Sequence, residues 1–322
     1  MKRLQKLIAA LSAIVVIAIL VVGVVAPILS PAEPDIIMTA FAPGAKPEGE
    51  KLDLIMPDAE NETAVKEFVA ELYAIAAEKY CTAPNVAYQT TYSNTMMGVP
   101  VTGQRYNVRN GDKNYYTEYS FIEGDTGVLG AIVGMAGGDN TRFAEARYTD
   151  GTMDYTSSYK MAVKSEKNAP TYVMDENGNR IYDVVWDLAE AKELEKHDYG
   201  YRLTDHDITA DTILEASVEY NEEEGFYTLN LKLDLEKAPA LITLPNLKES
   251  SNMEDAHYTT LDQKIEIWDN GYPRYFHAFD IWEGTMFIHM SSELDFRTTY
   301  YFDDYWTDIS NYQYMEEYCK AR

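Results

Sequence analysis

Few residues of this chain stand at spacings that suit chemistry, and those few fit no catalytic pattern. His197-Asp198 and His206-Asp207 are two His-Asp pairs that fall between expected elements. A metal-dependent phosphohydrolase gathers such ligands from several helices, so chance placement is the better account. His277 and His289 belong to adjacent expected strands. With Glu283-Gly284 as a two-residue turn, His277 faces Met290 and His289 faces Ala278, so the imidazoles do not share a ligand position. Asp175-Glu176-Asn177-Gly178-Asn179 opens like a calcium loop. That loop wants glycine at its sixth position and an acid at its twelfth, where Arg180 and Trp186 stand instead, which leaves a plain hairpin turn. The chain contains no G-x-S-x-G, H-E-x-x-H, P-loop or C-x-x-C pattern. Acidic pairs such as Asp303-Asp304 can serve glycoside hydrolysis, but among 53 acids the sequence selects no pair. No catalytic residue, metal ligand set or cofactor follows from the sequence, which reads as a binding protein rather than an enzyme.

Two other features invite a ligand. In residues 124–138, glycines recur among apolar residues, with Val128, Leu129, Ile132, Val133 and Met135 between them. Glycine is costly in helices and strands alike, so close approach or mobility is implied. The segment is either a flexible apolar lid over a cavity or a crossover packed tightly on a sheet, and the crossover is the simpler reading. Near the C-terminus Tyr300, Tyr301, Phe302, Tyr305, Trp306, Tyr312, Tyr314 and Tyr318 cluster. Exposed, Tyr305 and Trp306 can stack on a sugar or a partner protein; buried, the cluster closes the end of a sheet. Tyr300 and Phe302 continue the even-numbered face of Leu294 and Phe296, which assigns those two to the core. The two cysteines, Cys81 and Cys319, are free to pair if their compartment is oxidising, and sequence does not decide whether they come within reach.

The elements that must position these residues begin with a membrane signal. Lys2, Arg3 and Lys6 precede an apolar run from Leu7 to Val25, interrupted only by Ser12. Its 19 residues, at about 1.5 Å each, span roughly the hydrocarbon thickness of a bilayer. The cations stay cytosolic, so the rest of the chain faces out. The run exceeds the apolar core of most cleaved signal peptides, which favours an uncleaved signal-anchor over residues 1–29. It carries no cysteine for lipid attachment. Residues 30–60 hold Pro31, Pro34, Pro43, Pro47 and Pro57, the composition of an extended tether. A folded domain over 61–318 follows. The whole chain has a net charge of −26, which excludes nucleic acid as a partner and disfavours anionic headgroups. Its 26 tyrosines, 10 phenylalanines and 4 tryptophans exclude a disordered acidic tail.

Within that domain Asn61 caps a helix over 62–80, with Val65, Phe68, Val69, Leu72, Ile75 and Ala76 on one face. Strands are expected over 85–95, 99–109 and 114–121, then 143–149 and 153–160. Asn110-Gly111, Asp150-Gly151 and Asn177-Gly178 supply turns. Val185–Lys196, rich in Ala, Leu, Glu and Lys, predicts a short helix. Residues 213–220 alternate with Leu214, Ala216, Val218 and Tyr220 on one face. Tyr227, Leu229, Leu231, Leu233 and Leu235 alternate with polar residues, as a strand with one wet face requires. Strands over 258–268, 272–282 and 285–302 complete an α+β domain, with Asn270-Gly271 and Glu283-Gly284 as turns and Pro239 and Pro245 bracketing a loop. The expected architecture is a curved antiparallel meander with one long and one short helix packed on it.

An apolar leader, a linker, an amphipathic helix and then a tyrosine-rich meander with hairpins such as Arg109-Asn110-Gly111-Asp112-Lys113-Asn114-Tyr115-Tyr116 and Lys264-Ile265-Glu266-Ile267-Trp268-Asp269-Asn270-Gly271 resemble the LolA/LppX/RseB group of bacterial envelope proteins, over residues 61–316. The resemblance implies a half-barrel that holds lipid or acyl chains on its concave side. The chain departs from the group's lipoproteins in lacking the lipid-attachment cysteine. The combined expectation is a single-pass extracytoplasmic binding protein or sensor, anchored through residues 7–25, whose partners are the cytoplasmic membrane and an apolar ligand or envelope protein. The alternatives are a carbohydrate- or protein-interaction module using exposed aromatics, and a hydrolase built on a carboxylate pair.

Overall fold

Asn61 accepts a hydrogen bond from the Ala64 backbone N–H at 3.2 Å and so starts α1 (Glu62–Thr82) where the sequence places it. One face of α1 is buried through Val65, Phe68, Val69, Leu72, Tyr73, Ala76 and Ala77. Full burial of Leu72 alone contributes about 1.5–3 kcal/mol. The computed structural model describes residues 44–96, 99–111, 113–122, 142–150, 152–158, 175–177, 187–190, 201–285 and 289–302. The apolar run 7–25, the glycine-rich stretch 124–138, residues 303–322 with Tyr305, Trp306 and Cys319, and most of the segment expected as a short helix lie outside these. Among the described residues no helix is long and apolar enough to cross a membrane.

Eleven strands form one antiparallel sheet: β1 (Asn85–Met96), β2 (Val99–Asn110), β3 (Lys113–Ile122), β4 (Arg142–Thr149), β5 (Met153–Ser158), β6 (Asp187–Glu190), β7 (Ile213–Asn221), β8 (Phe226–Leu233), β9 (His257–Trp268), β10 (Pro273–Thr285) and β11 (His289–Phe302). Their order is β6-β5-β4-β3-β2-β1-β11-β10-β9-β8-β7, so β6 and β7 are edges and the sheet is not closed into a barrel. It is two meanders rather than one. Strands β1–β6 run outward from the middle and β7–β11 run back to it, and β1 meets β11 from Val86 opposite Phe302 to Met96 opposite Ser292.

The core under α1 is filled. Tyr227, Leu229, Leu231 and Leu233 of β8, Leu261, Ile265 and Ile267 of β9, Phe276 and Ala278 of β10, and Tyr300 and Phe302 of β11 are all buried with it. Tyr300 and Phe302 thus take the core positions expected of them. Tyr301, Ala87, Val108, Tyr115 and Tyr148 stand in register across β11 to β4 on the opposite face, and they too are buried. Tyr115 stacks on Tyr148 at 4.9 Å, and Tyr148 on Tyr155 at 5.5 Å.

Several expectations are corrected. Asp187–Glu190 is an edge strand paired with β5, not the core of a helix over 185–196. Its four Ala-, Leu- and acid-rich residues satisfy their backbone on the sheet edge, and so weak a propensity yields to pairing. The second described helix is α2 (Thr243–Ser251), which begins inside the loop expected between Pro239 and Pro245 and runs beyond it. Pro245 falls in its first turn, where backbone N–H groups have no intrahelical acceptor to lose. Finally, Glu283-Gly284 is not the β10–β11 turn. Both strands run on until Thr285 faces His289, so His277 faces Arg297 rather than Met290.

A smaller correction comes from a register shift between Ile213 and Glu215, which buries Ile213 and turns Leu214 out to solvent. Ala216, Val218 and Tyr220 keep the inward face, packed on the core.

Of the extended stretch expected over 30–60, residues 44–60 are described, and they form no helix or strand. Part of it lies on the domain. Lys46 forms an ion pair with Asp269. Asn270 Nδ2 donates to the Pro47 carbonyl at 2.7 Å, and Leu52 N to the Asp269 carbonyl at 2.7 Å. Lys51 donates to the Tyr220 hydroxyl at 2.7 Å, and Leu52 and Leu54 pack on the core. The β9–β10 turn that receives this strap needs Gly271, at φ 88°. A Cβ there would stand 2.8 Å from Ile75 Cγ2 of α1 and 3.4 Å from Leu52 Cδ1. Left-handed backbone and close approach both oppose a side chain, so Gly271→Ala is expected to cost about 1–3 kcal/mol. Urea unfolding of the full-length protein measures it, and an unchanged midpoint would contradict this account.

Candidate functional site

Among the described residues, the core opens on the α1 side into a cleft. This cleft, of about 440 Å³, lies over β1, β2 and β9–β11, between the C-terminal end of α1, residues 203–206 and the start of α2. That volume suits a small ligand. Its floor is mainly apolar, formed by Phe276, Ala278, Leu294, Phe296 and Tyr300. Thr90 and Thr298 hydroxyls share a hydrogen bond of 2.8 Å on the same floor. The Arg105 guanidinium lies 5.0 Å from the Tyr92 ring and 5.3 Å from the Phe296 ring, placing one cation beside the aromatics.

The wall at the α2 end is polar and buried. His206 Nε2 lies 2.8 Å from Asp280 Oδ2, and His206 Nδ1 lies 3.0 Å from Thr243 Oγ1. His206 is 3% exposed and Asp280 6%. The loop carrying His206 is fixed on both sides. The Tyr73 hydroxyl of α1 accepts from Leu203 N at 3.1 Å, Arg202 pairs with Asp207 at 3.1 Å, and Asp207 N donates to the Ala238 carbonyl at 2.8 Å. Thr243 is the first residue of α2, so the previously unexpected helix delivers the hydroxyl.

Tyr258 reaches this wall through an irregularity. Ile281 pairs with Thr260 but Trp282 pairs with Tyr258, so Thr259 is an extra residue in β9. The bulge turns Tyr258 onto the face of Asp280, opposite to where strict alternation from Leu261 would send it. The Tyr258 ring meets the His206 imidazole edge-on at 5.4 Å. Burial pushes the Tyr258 phenol up to about 12, opposed by a hydrogen bond from Thr243 and reinforced by the nearby carboxylates of Asp280 and Asp205.

His206 and Asp207 do not act as a pair, and each serves a different partner. His206 binds Asp280, 74 residues away, and Asp207 binds Arg202. The signal that could have found Asp280 is its register. In β10 the inward positions Phe276, Ala278 and Trp282 are apolar, and Asp280 is a charge among them. His277 stands on the other face, 3.0 Å from Asp295. Burial works to raise the Asp295 carboxyl, but hydrogen bonds from His277 and Arg297 outweigh it and hold the group below its usual range. A carboxylate-pair glycoside hydrolase needs two carboxylates flanking its scissile bond. The cleft offers exposed Asp205 and buried Asp280, the latter engaged through one oxygen with His206.

The residues expected from sequence to touch a ligand, Val128, Leu129, Ile132, Val133, Met135, Tyr305 and Trp306, lie outside the described residues. Of the cysteines, Cys81 has its sulfur 3.6 Å from the Arg202 carbonyl, and Cys319 lies outside the described residues. Asp175 closes a local turn by accepting from Asn177 N at 2.8 Å.

Buried phenols around the cleft set an alkaline limit. Burial pushes Tyr73 and Tyr258 up to about 12 and raises Tyr80 and Tyr300 as well. An unfolded tyrosine ionises near pH ~10. The stability these groups contribute is whole below pH ~10 and is lost as pH rises toward about 12. Alkaline titration is expected to show unfolding in that window, with phenolate absorbance rising in the same transition. Full phenolate absorbance before any loss of structure would contradict the burial.

No protein-family model matches the chain. No curated protein matches it either. Among solved structures it is similar to a DUF1329 family protein from Desulfovibrio piger, at 10% identity and a TM-score of 0.19, over 74% of this chain and 95% of that one. A similarity at that level carries no argument about this chain.

Proposed function

We propose that the protein is a membrane-tethered extracytoplasmic binding protein or sensor that holds an apolar or lipid-like ligand in the cleft beside α1. The observation that carries this reading is the cleft itself: an apolar, aromatic floor of Phe276, Ala278, Leu294, Phe296 and Tyr300, walled by polar side chains that include His206, Thr243 and Asp280. Such a lining suits an amphipathic molecule, whose apolar part removes its surface from water on the floor. The open antiparallel sheet supports a curved half-barrel of the kind found in the LolA/LppX/RseB group. The tether rests on the apolar run 7–25 and its preceding cations.

The full-length protein, isolated from its membrane fraction, is expected to carry a small apolar ligand detectable by native mass spectrometry and solvent extraction. Leu294→Trp places a large ring on the half-buried cleft floor and is expected to cut the bound fraction at least tenfold. A native protein that comes away empty and binds no medium-chain probe would sink the reading.

A further inference from the structure

The strongest unexplained feature of the cleft is one carboxylate oxygen. Asp280 lines the cleft and is 6% exposed. Its Oδ2 is engaged by His206, while its Oδ1 is buried without a hydrogen-bond partner. A buried ionic oxygen left unpaired is costly, and native proteins rarely keep one without a use. Around it the chain has built a support. The His206 ring is held between Asp280 and Thr243 at 2.8 and 3.0 Å, and α2 and residues 202–207 fix the ring's place.

Register gives the direction of the cleft from this point. Asp280 pairs with Leu294, so Phe296 is its diagonal neighbour on β11, at roughly 7–8 Å between backbones. Ala278, Leu294 and Phe296 form a continuous apolar path beside it. A ligand lying along that path would bring one end to the Asp280 carboxylate, and a small turn of that group would present its buried Oδ1.

We propose that Asp280 is the recognition group for the polar end of the ligand, and that this end is a hydrogen-bond donor: a hydroxyl or an ammonium on a medium-length apolar body. His206 and Thr243 are positioning residues that hold the carboxylate. The inference rests on the cleft being the binding site. It adds a polarity rule, since an acceptor-only head meets a lone pair instead of a proton and is rejected. Hydroxyl and ammonium share the donor, and charge separates them. The Arg105 cation beyond Phe296 opposes an ammonium and tolerates a hydroxyl.

Calorimetric titration of the full-length protein with 1-octanol, octylamine, methyl octanoate and octanoate provides the test. Octanol or octylamine is expected to bind at least tenfold tighter than methyl octanoate, and which of the two is tighter names the head group. Asp280→Asn keeps an acceptor for His206 and can present an amide N–H to the cleft. It is expected to weaken the donor ligand at least tenfold and to strengthen octanoate. Thr243→Val keeps Asp280 but releases the ring, and is expected to weaken the donor ligand several-fold without strengthening octanoate. That second variant carries the test if Asp280→Asn does not fold by circular dichroism. Equal binding of all four probes overturns the role of Asp280 while leaving the cleft as a binding site. So does a donor affinity that neither variant changes. Binding of none of the probes overturns the cleft itself.

Discussion

The pairing of β1 with β11 is the constraint on which the rest of the structure depends. It joins residues 196 to 216 apart in sequence, from Met96 opposite Ser292 to Val86 opposite Phe302. Without it the chain would hold two separate meanders, each with a further open edge. With it, Thr90 and Thr298 meet across the seam, Tyr88 and Tyr300 pack edge to face, and Tyr92 stacks on Phe296. The cleft floor is built on that seam, so the candidate site exists only once both halves are joined. Contacts this distant in sequence carry a large loop-closure cost, which places the seam late and slow in folding.

Much of the secondary structure was legible because it is locally encoded. Asn61 and the spacing of Val65, Phe68, Val69 and Leu72 define α1 from sequence alone. The alternation of Tyr227 to Leu233 defines β8, and Asn-Gly dipeptides mark the β2–β3 and β9–β10 turns. What escaped is what tertiary context decides. Asp187–Glu190 has a helix-forming composition but pairs on an edge. Thr243–Ser251 has a proline, two serines and an asparagine, yet forms a helix that ends on Asn252 in the left-handed conformation. Bulges at Leu214 and Thr259 reverse local alternation, and no periodicity announces them.

The candidate site was less legible than the fold. Its side chains come from α1, β1, β2, β9, β10, β11, α2 and the 203–206 segment, so no window of sequence contains it. His206 was visible as a titratable residue, but three strands and a helix separate it from its partner Asp280. The seam explains the difficulty. A site laid across two meanders draws residues from both, and sequence shows each meander separately.

The strap from Lys46 to Leu54 has a mechanical meaning. Because Lys46, Pro47 and Leu52 are fastened to Asp269 and Asn270, a pull on the chain before Lys46 does not act first on α1. It arrives at the β9–β10 turn, on the strands that also carry Tyr258 and Asp280. The turn is wedged by Ile75 of α1 through Gly271, so helix and sheet would have to yield together. The domain is therefore harnessed by the middle of its C-terminal meander rather than hung from its first helix, and tension along the chain and the geometry of the cleft share the same two strands.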